Sequence, residues 1–377
     1  MSSHDLARLA NERLTAVEPS SLAVRYPRTV GRNARLGSHG AGFSTTAITL
    51  RTHSGHSGWG LAEGSTGELQ QWVGRPVGDL FDPAVGVLDA AAAPLDFALH
   101  DLAARFLGLP VHELLGGRGG RRVSCYSGAI YFDDLDPEDV PRGIAAVLAN
   151  CAEDWAAGYR AVKLKIGRGY RWMDRDAGFA RDIDVTRAVR EAHPSARILV
   201  DVNNGYTPAE TVEYLQAVSD CELFWIEEPF HEETAGLSLV REYLLESGSR
   251  VLVADGEFEP DEEQILELAR RGLVDVLLMD VISYGLTAWR RVMPILAEIS
   301  VAASPHAWGQ PVKTAYAAQL AAGLGNVLTV EGVPGSTDGV DAGAFAMQDG
   351  AITVPETSGF GLVLTEPRTS PEPNRVA

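Results

Sequence analysis

The chain has 377 residues, 45% of them hydrophobic and 22% charged, with a formal net charge of −19. That length suits two domains, or one barrel with an attached module. The acidic balance argues against nucleic acid and anionic membranes as partners, and no apolar run is long enough to span a bilayer.

An anionic small molecule stays compatible, because basic side chains and a metal can reverse the field inside one cleft. Cys125, Cys151 and Cys221 are far apart and lack ligand spacing, so they are expected as reduced core thiols of a cytoplasmic protein. The opening MSSHDLARLANERL is polar, without a signal-peptide pattern, and begins with a short helical stretch. The closing TEPRTSPEPNRVA is Pro-rich and is expected to fray.

Residues 1–121 read as an α+β module. Thr45 to His53 and Gly58 to Gly64 form the strands of an antiparallel hairpin. HSGH, His53 to His56, is the turn between them and has no acid to make it a metal site. The loop Gly31 to Gly40, between the first strands, is Gly-rich and carries Arg32, Arg35 and His39. It is either a lid over an anionic ligand, with these three binding substrate, or a solvated basic loop. Leu88 to Leu115 has apolar residues at helical spacing and a stop at Gly108. LLGGRGG, Leu114 to Gly120, opens no helix and reads as a linker rather than a phosphate loop.

From Arg122 onward the rhythm changes. RVSCYSG is the first of a series of short apolar strands that carry polar groups at their ends. The second, AVKLKIG, carries Lys163 and Lys165, and ILVDVNN carries Asp201 and Asn203. FWIEEPF carries Glu227 and RVLVADGE carries Asp255 and Glu257. VDVLLMD ends at Asp280, AASPH at His306 and NVLTVE at Glu331. From Lys165 the steps are 23 to 36 residues, about one strand, loop, helix and return loop each. Polar residues at the C-terminal ends of successive parallel strands mark the active-site face of a (β/α) barrel. Residues 122–354 are assigned to it.

Residue types then indicate chemistry. Lys163 and Lys165 are two apart on a strand and share one face, so both point into the mouth, where desolvation is costly unless the charge is used. A single acid at a βα junction is commonly a helix N-cap. Acids on three consecutive strands, Asp201, Glu227 and either Asp255 or Glu257, converge instead and suit Mg²⁺. Near such a cation the lysine pKa values should fall, making one lysine available as a base. Asp280 can hold the His306 imidazole in one tautomer, and Glu331 is a hydrogen-bonding acid or a plain N-cap.

Taken together, AVKLKIG, VDVNN, IEEP, ADGE, the Asp280 strand, SPHAWG and TVEG resemble the enolase superfamily, in its mandelate racemase branch. LDFALHDLAARFLGLPVHELLGG resembles that family's capping-domain helix. The resemblance covers nearly the whole chain. It implies an α/β fold, a modified TIM barrel (β/α)7β with an α+β capping domain completed by residues 355–377. It implies one Mg²⁺ per site, held by Asp201, Glu227 and Glu257, with Lys165 and the His306–Asp280 dyad as bases on opposite faces of the substrate. Lys163 would lie against the substrate carboxylate, Glu331 would hydrogen-bond it, and Asn203 belongs with the substrate-binding residues. VISYGLT after Asp280 lacks the branch's paired glycines. His100 stands where a Trp is usual, with only a packing change expected.

Such a site removes a proton α to a carboxylate through an enediolate, stabilised by the metal and Lys163. Loss of a β-hydroxyl then gives a 2-keto-3-deoxy acid, and reprotonation gives an epimer. The polar, basic loop favours an acid sugar, hence a dehydratase, with a racemase or epimerase as the alternative. A non-catalytic binding barrel would have lost some of these positions, and none is lost. The expected partner is a small carboxylate, with no nucleic acid or membrane partner, and a homo-oligomer is expected.

Overall fold

The alternation of apolar and polar residues along LTAVEPSSLAVRYPRTV gives a half-buried strand, and it opens the first sheet. In the computed structural model, which describes residues 2–62, 69–258 and 260–365, helix α1 is Ser3–Asn11 and this strand, β1, is Leu14–Val30. It pairs antiparallel with β2, Gly40–Thr52, which pairs with β3, Ser57–Ala62. Residues 63 and 64 of the expected second hairpin strand, and the tail from 366, lie outside the described residues. Helix α2, Asp96–Leu107, lies on this sheet and ends where Gly108 turns to φ 68°. Gly58 and Gly60 permit the close approach: a Cβ at either would collide with Leu102, or with Phe97 and Ala98, on α2. One finding departs from the expected division of the chain. Ser336–Thr337, numbered within the expected barrel range, forms the sheet's fourth strand against Val24 and Arg25.

After the short helix α3, Val111–Leu114, eight strands follow. They are β4 Arg122–Ile130, β5 Ala161–Lys165, β6 Arg197–Asp201, β7 Trp225–Glu227, β8 Leu252–Asp255, β9 Val276–Leu277, β10 Ala302–Ala303 and β11 Val330–Gly332. Neighbours in this order pair in parallel from β4 to β10. The ring closes because β11 pairs with β4 and Val327 bridges to Ala303. Seven helices join the strands: α4 Ile144–Ala156, α5 Arg175–Ala192, α6 Pro208–Ala217, α7 Thr234–Glu246, α8 Glu262–Arg270, α9 Leu286–Glu298 and α10 Pro311–Leu324. Eight strands and seven helices make the (β/α)7β barrel. Tyr126, Ala161, Leu199, Trp225, Ala254, Val276 and Leu278 fill its interior below the polar ends.

The capping module is fixed by polar contacts as well as by the shared core. Arg28 of β1 forms an ion pair with buried Asp154 of α4 at 2.6 Å, and Ser127 donates to the same carboxylate. Asp96 of α2 accepts from the amide and hydroxyl of Thr287 on α9. His100 is more than a packing substitution. It is fully buried, its Nδ1 lies 2.9 Å from the Asp96 carboxylate, and its Nε2 faces Arg290 of α9. A tryptophan cannot accept there. The C-terminal segment returns to this interface, with Gly359 bridging Pro110 and Phe360 stacking on Phe97 and packing at a tilt against Tyr316. Cys125, Cys151 and Cys221 are buried free thiols, and among the described residues no helix is long and apolar enough to cross a membrane.

Candidate active site

Strand register builds the site. Lys165 pairs with Asp201, and Asp201 pairs with Glu227, so three ionisable groups lie in one row across β5, β6 and β7. Each is the last residue of its strand. Side chains two apart share a face, so Lys163 joins them one layer below. All four are essentially buried. The helices that follow are N-capped by Thr207 on α6 and Asp261 on α8, and Glu233 holds the N-cap position of α7, so the carboxylates of Asp201, Glu227 and Glu257 are not spent on caps.

The same row places Asp255 and Glu257 on different sides of the strand end. Its member on β8 is Ala254, in the barrel interior, so Asp255 alternates to the outer side of the strand. There burial, then Glu228 and Glu232, push its carboxyl well above the usual range. Glu257, two residues past the strand end, bends back to the mouth. Oxygens of Asp201, Glu227 and Glu257 all lie within 4.8 Å of one another.

This set fits a hard divalent cation. All the donors are carboxylate oxygens, and Glu257 Oε2 is buried without a hydrogen-bond partner. The local charge also fits. Among the described residues, carboxylates (Asp201, Glu227, Glu257, Asp280, Glu331) outnumber the ammonium groups gathered with them (Lys163, Lys165, Lys313). Burial, then the neighbouring Asp201 charge, drives Glu227 well above the usual carboxyl range. Burial also works on Asp201, but Lys165 and Lys163 outweigh it and hold that carboxyl below its ordinary value.

Lys165 donates to Asp201 Oδ2, and Lys163 Nζ lies 2.7 Å from Glu227, 3.0 Å from Glu331 and 3.3 Å from Asp201. Burial disfavours both ammonium groups. The carboxylates prevail and hold both lysines above their usual range. Glu331 caps no helix: its Oε2 accepts from the Ala307 amide at 2.9 Å. Gly128 leaves room for it, since a Cβ there would strike the Glu331 carboxylate.

His306 stands at the other end of the cluster. Its Nδ1 is 2.9 Å from Asp280 Oδ2, and its Nε2 lies 3.2 Å from Glu257 and 3.6 Å from Glu331. Burial opposes its charge, but Glu257, Glu331 and Asp280 together raise its pKa.

The basic loop divides into separate roles. Arg32 is paired with Asp136 at 2.5 Å and Glu138 at 2.9 Å and lies over the Trp172 ring, which ties the loop to the barrel. Arg35 donates to the backbone oxygen of Asn203, contacts His231 at 2.7 Å and stacks near Tyr170 and Phe258. The loops following Asp201, Glu227 and Glu257 therefore converge on this one guanidinium. Asn203, at φ 46°, donates its amide to Asp201 and keeps a buried Oδ1 unpartnered. His39 has its Nδ1 3.0 Å from the Gly31 oxygen, and its ring meets Tyr131 and Trp308 edge-on.

Sequence reasoning passed over Tyr131, Trp308, His231 and Lys313. Only Lys313 carried a signal, as the one charge in an otherwise uncharged α10. A separate cavity of about 870 Å³ between α2 and α9 is lined by residues such as Phe97, Tyr284 and Arg290, and none of the clustered acids or lysines borders it.

Residues 146–368 match the family model described as enolase C-terminal domain-like. Residues 75–116 match the mandelate racemase / muconate lactonizing enzyme N-terminal domain. The first match spans more than half the chain, and the chain belongs to this family, the mandelate racemase branch of the enolase superfamily. A mutant galacturonate dehydratase from Geobacillus sp., complexed with Mg, is similar at a TM-score of 0.89 and 32% identity, over 94% of this chain and 93% of that one. A structure of galacturonate dehydratase from Geobacillus sp. with D-galacturonate and 5-keto-4-deoxy-D-galacturonate gives 0.88.

D-galactarolactone cycloisomerase of Agrobacterium fabrum is 30% identical over 243 residues, 63% of this chain and 59% of that protein. D-gluconate dehydratase of Thermoproteus tenax is 27% identical over 283 residues, 73% and 54% respectively. The aligned stretches span less than two thirds of either curated relative.

Proposed function

We propose that the chain is a Mg²⁺-dependent acid-sugar dehydratase, a hydro-lyase acting on the carbon next to a carboxylate. The observation that carries this reading is the placement of two proton-transfer groups at the two ends of one carboxylate cluster: Lys165 touches Asp201, and His306 faces Glu257. Asp201, Glu227 and Glu257 would hold the cation, which when bound supplies Lewis-acid neutralisation of the substrate carboxylate and of the acids around Lys165.

Lys165, freed of that charge, takes the α-proton on its Nζ. Lys163 supports the negative charge that develops on the substrate carboxylate as an enediolate forms. The electron pair then expels the β-hydroxyl, and His306, held by Asp280 at Nδ1, delivers the Nε2 proton to the departing oxygen as water. The resulting enol ketonises to the 2-keto-3-deoxy acid. Arg35, His39 and Asn203 line the route to the far end of the sugar, and Glu331 braces Lys163 and His306.

The 5-keto-4-deoxy-D-galacturonate bound with D-galacturonate in the Geobacillus enzyme is what this elimination yields when the carboxylate is the last carbon of a hexuronate. That makes D-galacturonate the first substrate to test. With Mg²⁺ and a panel of mono- and diacid sugars in D₂O, ketone formation and α-deuteration are followed together. Ketone from at least one acid sugar is expected. Deuterated epimer without ketone would replace the reading with a racemase or epimerase, a chemistry that bases on both sides of a substrate equally permit. Neither signal from any acid would leave a non-catalytic barrel.

A further inference from the structure

Helix α10, PVKTAYAAQLAAGL, is built of apolar and small residues with one charge, Lys313, and that charge is buried. A buried ammonium costs several kcal/mol unless strongly partnered. Lys313 Nζ donates to Asp280 Oδ2 at 2.8 Å, the same oxygen that faces His306 Nδ1 at 2.9 Å. The other oxygen, Oδ1, accepts the amides of Ile282 at 2.8 Å and Ser283 at 3.0 Å. Each Asp280 oxygen therefore has two donors, and the carboxylate cannot turn without breaking at least one bond. An anionic, immobile Asp280 demands a proton on the imidazole nitrogen that faces it. That leaves His306 Nε2, buried and without a formed hydrogen bond, aimed at Glu257 and Glu331.

We propose that Lys313 is a positioning residue: by sharing Asp280 Oδ2 with His306 it fixes the imidazole with its Nδ1–H toward Asp280, so that Nε2 is the nitrogen that carries and gives up the transferred proton. The inference rests on His306 being the proton carrier proposed above, and it extends the His306–Asp280 pair to a third member on another helix. With the amine removed, Asp280 keeps a vacant lone pair, can swing toward solvent in the mouth, and no longer dictates which ring nitrogen holds the proton.

The test uses the full-length Mg²⁺-loaded protein and the variants Lys313→Met and Lys313→Arg. Two readouts are taken: kcat and KM on the turned-over acid sugar, and the ¹⁵N side-chain resonances of His306, assigned by their loss in His306→Asn. Lys313→Met should lower kcat by about ten- to a hundredfold, the usual cost of losing an outer partner of a functional histidine, with KM little changed. Its two His306 nitrogens should lose their distinct signals and move toward averaged values. Lys313→Arg should restore most of both. Where Lys313→Met does not fold, Lys313→Ala with added ethylammonium gives the same comparison.

A His306 spectrum unchanged on loss of the amine overturns the proposal, whatever the rate does. So does a joint loss of kcat and KM that neither Arg nor the added amine repairs, which marks a packing role. The spectrum needs no substrate. A protein that dehydrates no acid sugar, but whose His306 signals respond to Lys313, would refute the dehydratase reading and leave the positioning role in place.

Discussion

Lys165 and Asp201 are register partners on adjacent parallel strands, each the last residue of its strand, and the lysine amine donates directly to the carboxylate. The base candidate and a metal-ligand candidate are thus joined by the sheet itself, and the row continues to Glu227. Anything that neutralises Asp201 also releases Lys165 from its strongest ion-pair partner. A cation held by Asp201 would therefore couple metal binding to the basicity of Lys165.

Removal of divalent cation should therefore abolish turnover rather than merely weaken binding. Chelator-treated protein is expected to be inactive and to recover with Mg²⁺. Asp201→Asn, Glu227→Gln and Glu257→Gln should each reduce Mg²⁺ affinity by at least about tenfold, measured by calorimetry. Asp255→Asn should leave the affinity nearly unchanged, because that side chain sits on the outer side of β8. Were Asp255→Asn the more damaging of the two β8-end changes, the ligand assignment would be wrong.

The two proton-transfer groups separate by isotope exchange. Lys165→Ala should stop both turnover and α-proton exchange with D₂O. His306→Asn should stop turnover while leaving exchange measurable, since only delivery of the proton to the leaving hydroxyl is lost. The opposite pattern would swap the roles, and normal turnover in His306→Asn would make the His306–Asp280 pair structural.

The three loop side chains should behave differently from one another. Arg35→Met should raise KM by roughly tenfold, the effect of one lost charge-assisted hydrogen bond of about 1.5 kcal/mol, with Mg²⁺ affinity intact. His39→Phe should change preference among acid sugars. Arg32→Gln is expected to leave KM nearly untouched, because Asp136 and Glu138 already occupy its guanidinium. Steady-state kinetics on all three settle the matter, and a uniform response would remove the distinction drawn here.

Outside the cluster, Asp133 beside the basic loop is expected to make stability depend on pH. Burial pushes its carboxyl up to about 6 from an ordinary value of 3.8, with Arg142 and Arg28 pulling it down only in part. The native state favours the neutral form. Its contribution to stability is full below pH 3.8 and is lost as pH rises toward 6. Asp133→Asn should abolish that slope, keep an acceptor for the Asn150 amide, and make the protein more stable near neutral pH by about 1–3 kcal/mol. Denaturant unfolding at pH 4 and pH 7 checks this. A variant less stable than the parent at pH 7 would show that the charged form is the one the fold needs.

The strand-end acids and lysines were legible in the sequence for a simple reason. A strand alternates with period two and a βα unit recurs about every 30 residues, so FWIEEPF, ILVDVNN and AVKLKIG carry their geometry with them. Lys163, Lys165, Asp201, Glu227, Asp280, His306 and Glu331 all come from such segments, and the local pattern alone brings them to one end of a barrel. The same pattern says nothing about pairings made across the chain.

Asp255 and Glu257 looked alike until the register with Glu227 put Ala254, and not its neighbour, inside the ring. Ser336–Thr337 joins the capping sheet from more than 300 residues beyond its partner strand. The Arg32 guanidinium reads in the sequence as either a substrate ligand or a solvated charge, and only the position of the loop carrying Asp136 and Glu138 shows it already paired. Lys313 could be seen as an odd charge in an apolar helix, but its partner could not, because α10 and the strand end carrying Asp280 meet only when the barrel closes. The sequence by itself determined which chemical groups reach the mouth, since that depends on local periodicity. Tertiary structure decided which of them touch, since side chains distant in sequence share a hydrogen bond only after packing brings their backbones together.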